Sequence, residues 1–436
     1  MKISNKSVWS ASIEMPKFPQ LKKDITTDVL IIGGGMAGIL TAYFLQKSGV
    51  DYILVEQDRI CSGVTKNTTA KITLQHGLNY HKILKDGGYE IAKGYYEANK
   101  MALDTFYSIC GSLDCDFETR DNYVYSTNDP DKLEAEMAAL EKIGCFSRFC
   151  KDIPVPVKTV GAVCVPEQAQ FNPLKFIAAI SKDLNIFENT KVWEMIGNTA
   201  VTQKGKIFAK RVVVTTHFPF INKHGSYFLK LYQHRSYVMA LKGPSDVYGM
   251  YVDESKTGFS FRNYGDLLLL GGGSHRTGKK GGGFSELENF YILHYPQAQV
   301  EYRWATQDCM SLDDMAYIGN YSKNLKNTFV ATGFNKWGMT GSMVAARLLS
   351  DMLKGTENQF SHIFSPSRSI LKPQLLVNGF ETTVNMLNPT TKRCGHLGCA
   401  LKWNPQEHSW DCACHGSRFD KDGKLLDGPA TRDLKK

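Results

Sequence analysis

The chain has 436 residues, 42% of them hydrophobic, and a formal net charge of +9 at pH 7. This length allows a large enzyme with a small additional domain. The basic residues are scattered and form no stripe with interleaved aromatic residues, so a solvated basic surface is favoured over nucleic-acid binding. Residues 1–23 are of mixed polarity without an apolar leader core, so secretion is not expected and a cytoplasmic location is predicted.

The first predicted elements form a strand, helix and strand unit for a dinucleotide. An apolar strand leads into Gly33, Gly35 and Gly38, an apolar-periodic helix continues to Leu45, and a second strand ends at Glu56. Gly33 permits a tight turn, Gly35 lets the backbone approach a pyrophosphate, and Gly38 allows close helix packing. The Glu56 carboxylate, about 20 residues farther on, is expected to bind a ribose hydroxyl. A membrane span is rejected, because the apolar run is short and interrupted by glycines.

The spacing of apolar residues predicts the elements that follow. Helices are predicted at 89–115, at 132–143, from Pro173 onward and at 341–353, and strands at 189–192, 209–216, 237–241 and 267–270. The glycine triplet alone does not decide between FAD and NAD.

The order of these elements, with the glycine-rich segment Ala331 to Thr340 before the last helix, resembles the D-amino-acid oxidase and glycine oxidase family of FAD enzymes over residues 28–353. The resemblance implies that FAD is the cofactor and that a helix N-terminus stabilises the anionic reduced flavin. The residues that it places at the cofactor are Gly63, Thr69, Val192, Gly333, Gly338, Met339 and Thr340. The alternatives are a glycine-rich turn that caps a core helix and, at 63–71, an ordinary solvated loop.

Candidate substrate residues follow from the expected chemistry. A carboxylate-bearing substrate requires a basic side chain, and the predicted substrate-domain strands offer Arg235, Arg262, His275 and Arg276. Lys336 and Trp337 are expected to line the flavin face. The candidate catalytic set is therefore Lys336, Trp337, Arg262 and Arg276, although each of these residue types is more often structural.

Two short cysteine and histidine motifs stand near the C-terminus. Cys394 and His396 form a Cys-x-His motif, and Cys412 and His415 form a Cys-x-x-His motif. This is the ligand set of a Rieske [2Fe-2S] centre, in which two imidazoles replace two thiolates on one iron. A zinc site is the alternative, but zinc ribbons favour paired Cys-x-x-Cys motifs.

These motifs resemble the respiratory type of Rieske protein. The resemblance implies a disulfide between Cys399 and Cys414, and a proline loop over the cluster at Gly428 to Ala430. In that family the histidines lie at the exposed tip, so His396 and His415 are expected to present the exit for electrons. Ser417 keeps the hydroxyl expected beside the cluster sulfurs, whereas Phe419 occupies a position where high-potential members carry tyrosine, so a lower potential is predicted.

The predicted fold is α/β with an α+β substrate part. The expected divisions are an N-terminal extension (1–27), a discontinuous Rossmann-like FAD-binding domain (28–88, 161–216 and 305–354), an inserted mixed-sheet substrate domain (89–160 and 217–304), a connector (355–390) and a small Rieske β module (391–436). Only the connector segment 375–384 is available to replace the usual base strands of a Rieske domain. We therefore expect a minimal module docked on the flavoprotein, because so short a segment rarely folds alone.

The whole chain resembles a bacterial family that fuses the two parts. This resemblance implies the pairing of a flavin with a cluster, but it implies no substrate. From the chemistry of the two centres we predict a dehydrogenase that takes a hydride from an amine or amino-acid-like substrate and passes electrons through the cluster to an external acceptor. Two alternatives remain open at this point. One is a reductase supplied with electrons by a ferredoxin-like partner, and the other is a non-catalytic redox sensor.

Overall fold

The computed structural model describes residues 3–434. The helices are α1 (Val8–Ser12), α2 (Met36–Lys47), α3 (Tyr80–Cys110), α4 (Pro130–Lys142), α5 (Pro173–Ile180), α6 (Tyr227–Lys230), α7 (Gly283–His294), α8 (Gly338–Lys354), α9 (Ser361–Phe364) and α10 (Pro373–Leu387), with a 3-10 turn at Val64–Asn67. The strands are β1 (Ile25–Ile32), β2 (Tyr52–Val55), β3 (Lys71–Ile72), β4 (Glu118–Ser126), β5 (Arg148–Cys150), β6 (Gly161–Gln170), β7 (Ile186–Phe187), β8 (Val192–Ile196), β9 (Thr199–Thr202), β10 (Lys206–Val214), β11 (Tyr232–Lys242), β12 (Met250–Asp253), β13 (Ser260–Tyr264), β14 (Leu267–Arg276), β15 (Gln299–Met310), β16 (Tyr317–Ser322), β17 (Leu325–Thr332), β18 (Leu401–Asn404), β19 (Ser409–Cys412), β20 (Arg418–Asp420) and β21 (Leu425–Asp427).

The first sheet carries the predicted dinucleotide unit. Its strand order is β16, β17, β10, β1, β2 and β7, and β1 runs parallel to both β10 and β2. The ends of β1 and β10 and all of β2 are buried, as expected for parallel strands covered on both faces. Helices α2 and α8 contribute buried apolar residues to the main core. The carboxyl end of β1 therefore meets the start of α2, where parallel sheets bind ligands.

The second sheet is largely antiparallel, with the order β15, β11, β14, β13, β12, β4, β6 and β3. Strand β6, which the sequence assigns to the FAD-binding part, pairs antiparallel with β4 in this sheet. Strand β15 also belongs to it as one continuous element, across the boundary expected at residue 304. Strand β6 contains the apolar run from Ala162 to Val165, and an apolar run alone does not reveal which sheet a strand joins. Strand β15 mixes apolar and charged residues, so its pattern gives no clearer signal.

Two predicted elements differ in their bounds. The helix expected at 89–115 begins at Tyr80, and Gly88 within it has a φ of 82°, which marks a kink between two helical segments. The strand expected from residue 189 begins at Val192, because Asn189 has a left-handed φ of 51°.

The cluster module is a four-stranded antiparallel sheet of β18 to β21. The last two residues of the expected module, 435 and 436, lie outside the described part of the chain. The connector segment 375–384, expected to replace base strands, lies within helix α10 instead. The residues Leu376, Phe380 and Val384 recur every four positions, which is the spacing of a helix face rather than of a strand. Among the described residues, no helix is long and apolar enough to cross a membrane.

Candidate functional site

Gly33 and Gly38 occupy positions that only glycine fits. Gly33 has a φ of 113°, and a Cβ atom there would lie 2.7 Å from the carbonyl oxygen of Thr215. A Cβ atom on Gly38 would lie 1.9 Å from the Gly33 carbonyl oxygen. Gly35 is different, because its nearest neighbour would be the Thr65 hydroxyl at 3.4 Å. The turn is therefore closed on the protein side and open at Gly35, the position expected to approach a pyrophosphate.

Glu56 stands beside this turn at the end of β2. Its Oε2 accepts a hydrogen bond from the Gly34 amide at 2.7 Å, and its Oε1 accepts one from the Asp58 amide at 3.0 Å. Burial raises the pKa of the carboxyl group, although these amides oppose the shift. Each oxygen retains a lone pair, so the role in binding a ribose hydroxyl remains a prediction.

The other residues predicted at the cofactor fall into three regions. Gly63 is exposed and precedes the 3-10 turn, and Val192 begins β8 and packs against the apolar side of the first sheet. Gly333, with a φ of 70°, opens the loop before α8, and Gly338 is the first residue of that helix. The N-terminus of α8 has no side-chain cap. Its amide groups therefore remain able to interact with an electron-rich ligand.

A cavity of about 260 Å³ lies between the start of α8 and the second sheet. Four predicted residues line it, namely Thr69, Lys336, Trp337 and Met339. The sequence missed other lining residues that carry charged or titratable groups, namely Lys71, His76, Lys82, Tyr237, Asp253, Glu254, Lys256, Asp308 and Asp314. Their scatter along the chain explains why spacing gave no signal for most of them. Lys71, which ends the predicted flavin loop, and His76, which follows that loop closely, are the exception.

His76 and Trp337 form one wall of the cavity. Their rings are stacked with centroids 5.0 Å apart. His76 contacts the Tyr95 hydroxyl at 2.6 Å and the Thr340 hydroxyl at 3.0 Å, and Thr340 donates to the Thr73 carbonyl at 3.0 Å. Burial lowers the pKa of His76 to about 3. The imidazole is therefore neutral near pH 7, and it links the start of α8 to the segment after β3.

Two lysines at the cavity have pKa values below the ordinary value for lysine. Burial, reinforced by the charge of Arg262, lowers the pKa of Lys71 to about 7. Burial also lowers the pKa of Lys336, whose Nζ donates to the Lys256 carbonyl at 2.9 Å and to the Ser274 hydroxyl at 3.2 Å. Burial raises the pKa of Asp308, and the charge of Lys336 partly offsets this rise. An anionic substrate group would relieve the cost of these buried cations.

The arginine and histidine candidates do not line the cavity. Arg262, which is 1% exposed, donates to the carbonyls of Thr69 and Ala70 and so supports the loop before β3. Arg276 donates to the Ala413 carbonyl at 3.0 Å, and Arg235 pairs with Glu407, both in the cluster module. Tyr237 and His275 are stacked and joined by a 3.1 Å hydrogen bond. The prediction of these side chains as substrate residues is therefore corrected, since their polar groups hold the fold and the module together.

The four predicted cluster ligands come together at one end of the module. The His396 and His415 rings lie with centroids 4.9 Å apart, and Cys394 and Cys412 are buried free thiols. The Nδ1 atoms of both histidines are buried, and no described group forms a hydrogen bond with them. Unpaired buried nitrogens are costly unless they bind a metal, so this donor set fits an iron cluster.

Cys399 and Cys414 form a disulfide that joins the two ligand loops. The Cys412 sulfur lies within 4.8 Å of both disulfide sulfurs, but these are bonded to each other and are not free ligands. Ser417 is fully buried and accepts a hydrogen bond from the Ala430 amide at 3.0 Å, which attaches the proline loop. Phe419 is also fully buried and packs in the small core of the module with the four cysteines of the loops.

Two glutamines of the second sheet hold the ligand loop of His415. The Gln233 amide donates to the His415 carbonyl at 2.9 Å and to the Gly428 carbonyl at 3.1 Å. The Gln307 amide donates to the Gly416 carbonyl at 2.9 Å. A Cβ atom on Gly416 would lie 2.6 Å from the Gln233 side chain. The loop therefore fits closely against β11 and β15.

The histidine face of the module points into the flavoprotein. The Phe218 ring lies 6.2 Å from the His396 ring and 6.4 Å from the His415 ring, and Phe228 lies 6.3 Å from His415. His415 is 2% exposed, whereas His396 is half-buried and its Nε2 contacts the Asn222 side chain at 3.1 Å. The expectation that both histidines present an outward exit is wrong, because docking covers His415.

The connection to the dinucleotide turn is short. Phe218 follows Thr215 by three residues, and the Thr215 hydroxyl donates to the carbonyls of Ile32 and Gly33, each at 3.0 Å. Phe218 could not be predicted from the sequence, because its partners are far away along the chain.

Comparisons with known proteins agree with this arrangement. The family model described as FAD dependent oxidoreductase matches residues 28–352, and the Rieske [2Fe-2S] domain model matches residues 373–436. The chain belongs to the FAD dependent oxidoreductase family. It is an oxidoreductase that carries a C-terminal Rieske domain, and it binds FAD and a [2Fe-2S] cluster.

A curated relative and several solved structures share this organisation in whole or in part. The putative Rieske 2Fe-2S iron-sulfur protein YhfW of Bacillus subtilis is 34% identical, and the match covers 98% of this chain and 96% of the relative. Glycine oxidase from Geobacillus kaustophilus is 18% identical with a TM-score of 0.65, over 79% of this chain and 99% of that one. L-proline dehydrogenase from P. horikoshii is 16% identical with a TM-score of 0.66, over 80% and 98%. At these identities the two structures show that the flavoprotein fold is shared.

Proposed function

We propose that this protein is an FAD-dependent dehydrogenase that oxidises a small amine or amino acid and passes the electrons through its Rieske cluster to an external acceptor. The packing of Phe218 against both cluster histidines carries this proposal. In this packing the histidine side of the module lies against the flavoprotein. Phe218 follows Thr215 by three residues, and Thr215 lies beside Gly33 of the dinucleotide turn. Such an interface suits electron transfer within one chain.

The residues that would hold FAD are those of the glycine turn, Glu56 and the start of α8. When bound there, FAD would supply a hydride acceptor for a C–H bond next to nitrogen, and the cluster would supply a carrier of one electron at a time. The uncapped amides of α8 favour negative charge at that end of the site. The stack of His76 and Trp337 fixes the residue before α8 and supplies an apolar surface.

The cavity suits a small substrate with a carboxylate. Its volume of about 260 Å³ is at the low end for ligand pockets. The lining also carries four acidic residues, Asp253, Glu254, Asp308 and Asp314, and Asp314 pairs with Lys82 at 2.5 Å and with Lys256 at 2.7 Å. Lys71 and Lys336 form no ion pair with any described residue, so these two lysines are the groups that would meet a carboxylate. The structurally similar glycine oxidase and L-proline dehydrogenase are named for amino acids, which supports an amino acid here. We assign Lys336 and Trp337 to the substrate side of the site.

Anaerobic titration of the purified holoprotein with amino acids and amines tests the proposal. Loss of the flavin absorbance followed by reduction of the cluster is the expected result. Flavin reduction only after addition of a reduced ferredoxin-like protein would instead support electron flow in the opposite direction. Reduction of neither centre by any compound, with both cofactors bound, would favour a redox sensor.

A further inference from the structure

Helix α10, which joins the flavoprotein to the cluster module, exposes large apolar side chains along one face. The exposed residues of this apolar face are Leu376 (78%), Val377 (50%), Phe380 (69%), Val384 (43%) and Leu387 (77%). Leu371, just before the helix, is 84% exposed. Apolar patches of this kind mark interaction surfaces in folded proteins.

Three polar residues of the same helix, Asn378, Glu381 and Asn385, point inward. Asn378 and Asn385 are buried, and the Asn378 side chain accepts a hydrogen bond from Arg276 at 2.9 Å. Glu381 forms an ion pair with Lys279 at 2.6 Å. The helix therefore docks through its polar side and leaves its apolar side uncovered, which reverses the usual pattern of a surface helix.

The charged residues that flank the apolar face along the chain are basic. In residues 365–393 the single acidic residue is Glu381, which is turned inward. Lys372 precedes the helix, and Lys392 and Arg393 follow it as exposed cations. The Arg393 guanidinium donates to the Met386 and Asn388 carbonyls, each at 3.1 Å, so it is fixed at the end of the helix.

We infer that α10 lies in the interface of an anionic membrane, a property that goes beyond the proposed function. The apolar face would enter the boundary between headgroups and acyl chains, and Lys372, Lys392 and Arg393 would contact anionic headgroups. A second copy of the chain fits less well, because two-fold pairing through α10 would bring the cationic ends of both helices to the same interface.

Flotation of the full-length holoprotein with lipid vesicles tests this inference. Stronger binding to phosphatidylcholine vesicles containing phosphatidylglycerol than to pure phosphatidylcholine is expected, with release by salt. Leu376→Asp should lower the partition coefficient by about tenfold or more, since it removes a membrane-buried apolar side chain. Leu293→Asp is the matched control, because Leu293 is 74% exposed on α7. Lys392→Gln should lower binding to anionic vesicles by about fivefold.

Absence of binding to anionic vesicles would overturn the inference, as would equal losses in Leu376→Asp and Leu293→Asp. Light scattering tests the alternative that a second copy of the chain covers α10. A dimer that Leu376→Asp dissociates, without vesicle binding by the unaltered protein, would show that a second copy covers the helix. Flavin and cluster absorbance in each variant verifies folding independently of membrane binding.

Discussion

Arg235 of β11 and Glu407 of the cluster module form a buried bidentate ion pair across the interface between the two parts of the chain. Their side chains are 6% and 12% exposed. Glu407 also accepts hydrogen bonds from Arg418 and from the Tyr237 hydroxyl, each at 2.9 Å. One carboxylate therefore connects an arginine of the flavoprotein to an arginine of the module.

Removal of this carboxylate charge is expected to weaken the docking of the module. Glu407→Gln leaves Arg235 and Arg418 buried without their shared anion, which costs about 3–5 kcal/mol for a buried pair. Denaturant unfolding monitored by cluster absorbance measures the loss. Asp104→Asn is the control, because its ion pair with Lys100 is exposed and should change stability by less than about 1 kcal/mol. Equal effects of the two variants would contradict a docking role.

The same carboxylate predicts a pH dependence. Burial raises the pKa of Glu407, but the charges of Arg235 and Arg418 more than offset this and lower it to about 2, from an ordinary value of 4.5. The stabilisation is therefore complete above pH 4.5 and declines as the pH falls toward 2. The unfolding free energy of the unaltered protein should fall more steeply over this range than that of Glu407→Gln. Parallel pH profiles would show that Glu407 is not responsible.

The sequence predicted the local motifs and the docking of the module, but it did not predict which residues form the interface or how the histidines are oriented. The turn from Gly33 to Glu56 depends on residues close in sequence whose backbone demands are distinctive, and the structure forms it as expected. The inward orientation of His415 depends on Gln233 and Gln307, which are common polar residues on distant strands. No spacing rule could have identified these two. Arg276 was predicted as a substrate residue, and its contact with the module could not be inferred from the sequence either. Helix α10 was missed although its apolar residues had helical spacing.

A methyl group on Gly38 is expected to prevent FAD binding. In Gly38→Ala the new Cβ atom would lie 1.9 Å from the Gly33 carbonyl oxygen, so the turn must open. We expect a protein purified with little flavin but with a normal cluster spectrum. Gly379→Ala is the matched control, since its Cβ atom would meet nothing within 4 Å. Full flavin content in Gly38→Ala would refute this role of the turn.

The identity of residue 419 is expected to affect the cluster potential. Phe419 is fully buried against the cysteines of the ligand loops and offers no hydrogen bond to sulfur. In Phe419→Tyr a hydroxyl–sulfur bond of about 1 kcal/mol in favour of the reduced state would raise the midpoint by about 40 mV for one electron. Potentiometric titration followed by electron paramagnetic resonance measures the shift. An unchanged midpoint, with a native spectrum, would exclude this explanation of a low potential.

Phe218 is expected to control electron transfer between the two centres. Its ring is 4% exposed and contacts the imidazoles of both His396 and His415. Phe218→Leu keeps an apolar side chain but leaves a gap beside both rings, so reduction of the cluster should slow severalfold while reduction of the flavin by substrate is unchanged. Stopped-flow absorbance at flavin and cluster wavelengths separates the two steps.

The control is Phe208→Leu, because Phe208 is a 42% exposed residue on β10, the strand that leads to Phe218. Phe228, which contacts only the His415 ring of the two, should give an intermediate effect when replaced by leucine. If cluster reduction is as fast in Phe218→Leu as in Phe208→Leu, the electrons must enter the module elsewhere. The inward face of His415 would then serve docking alone, and the half-buried His396 would be the contact for the external partner.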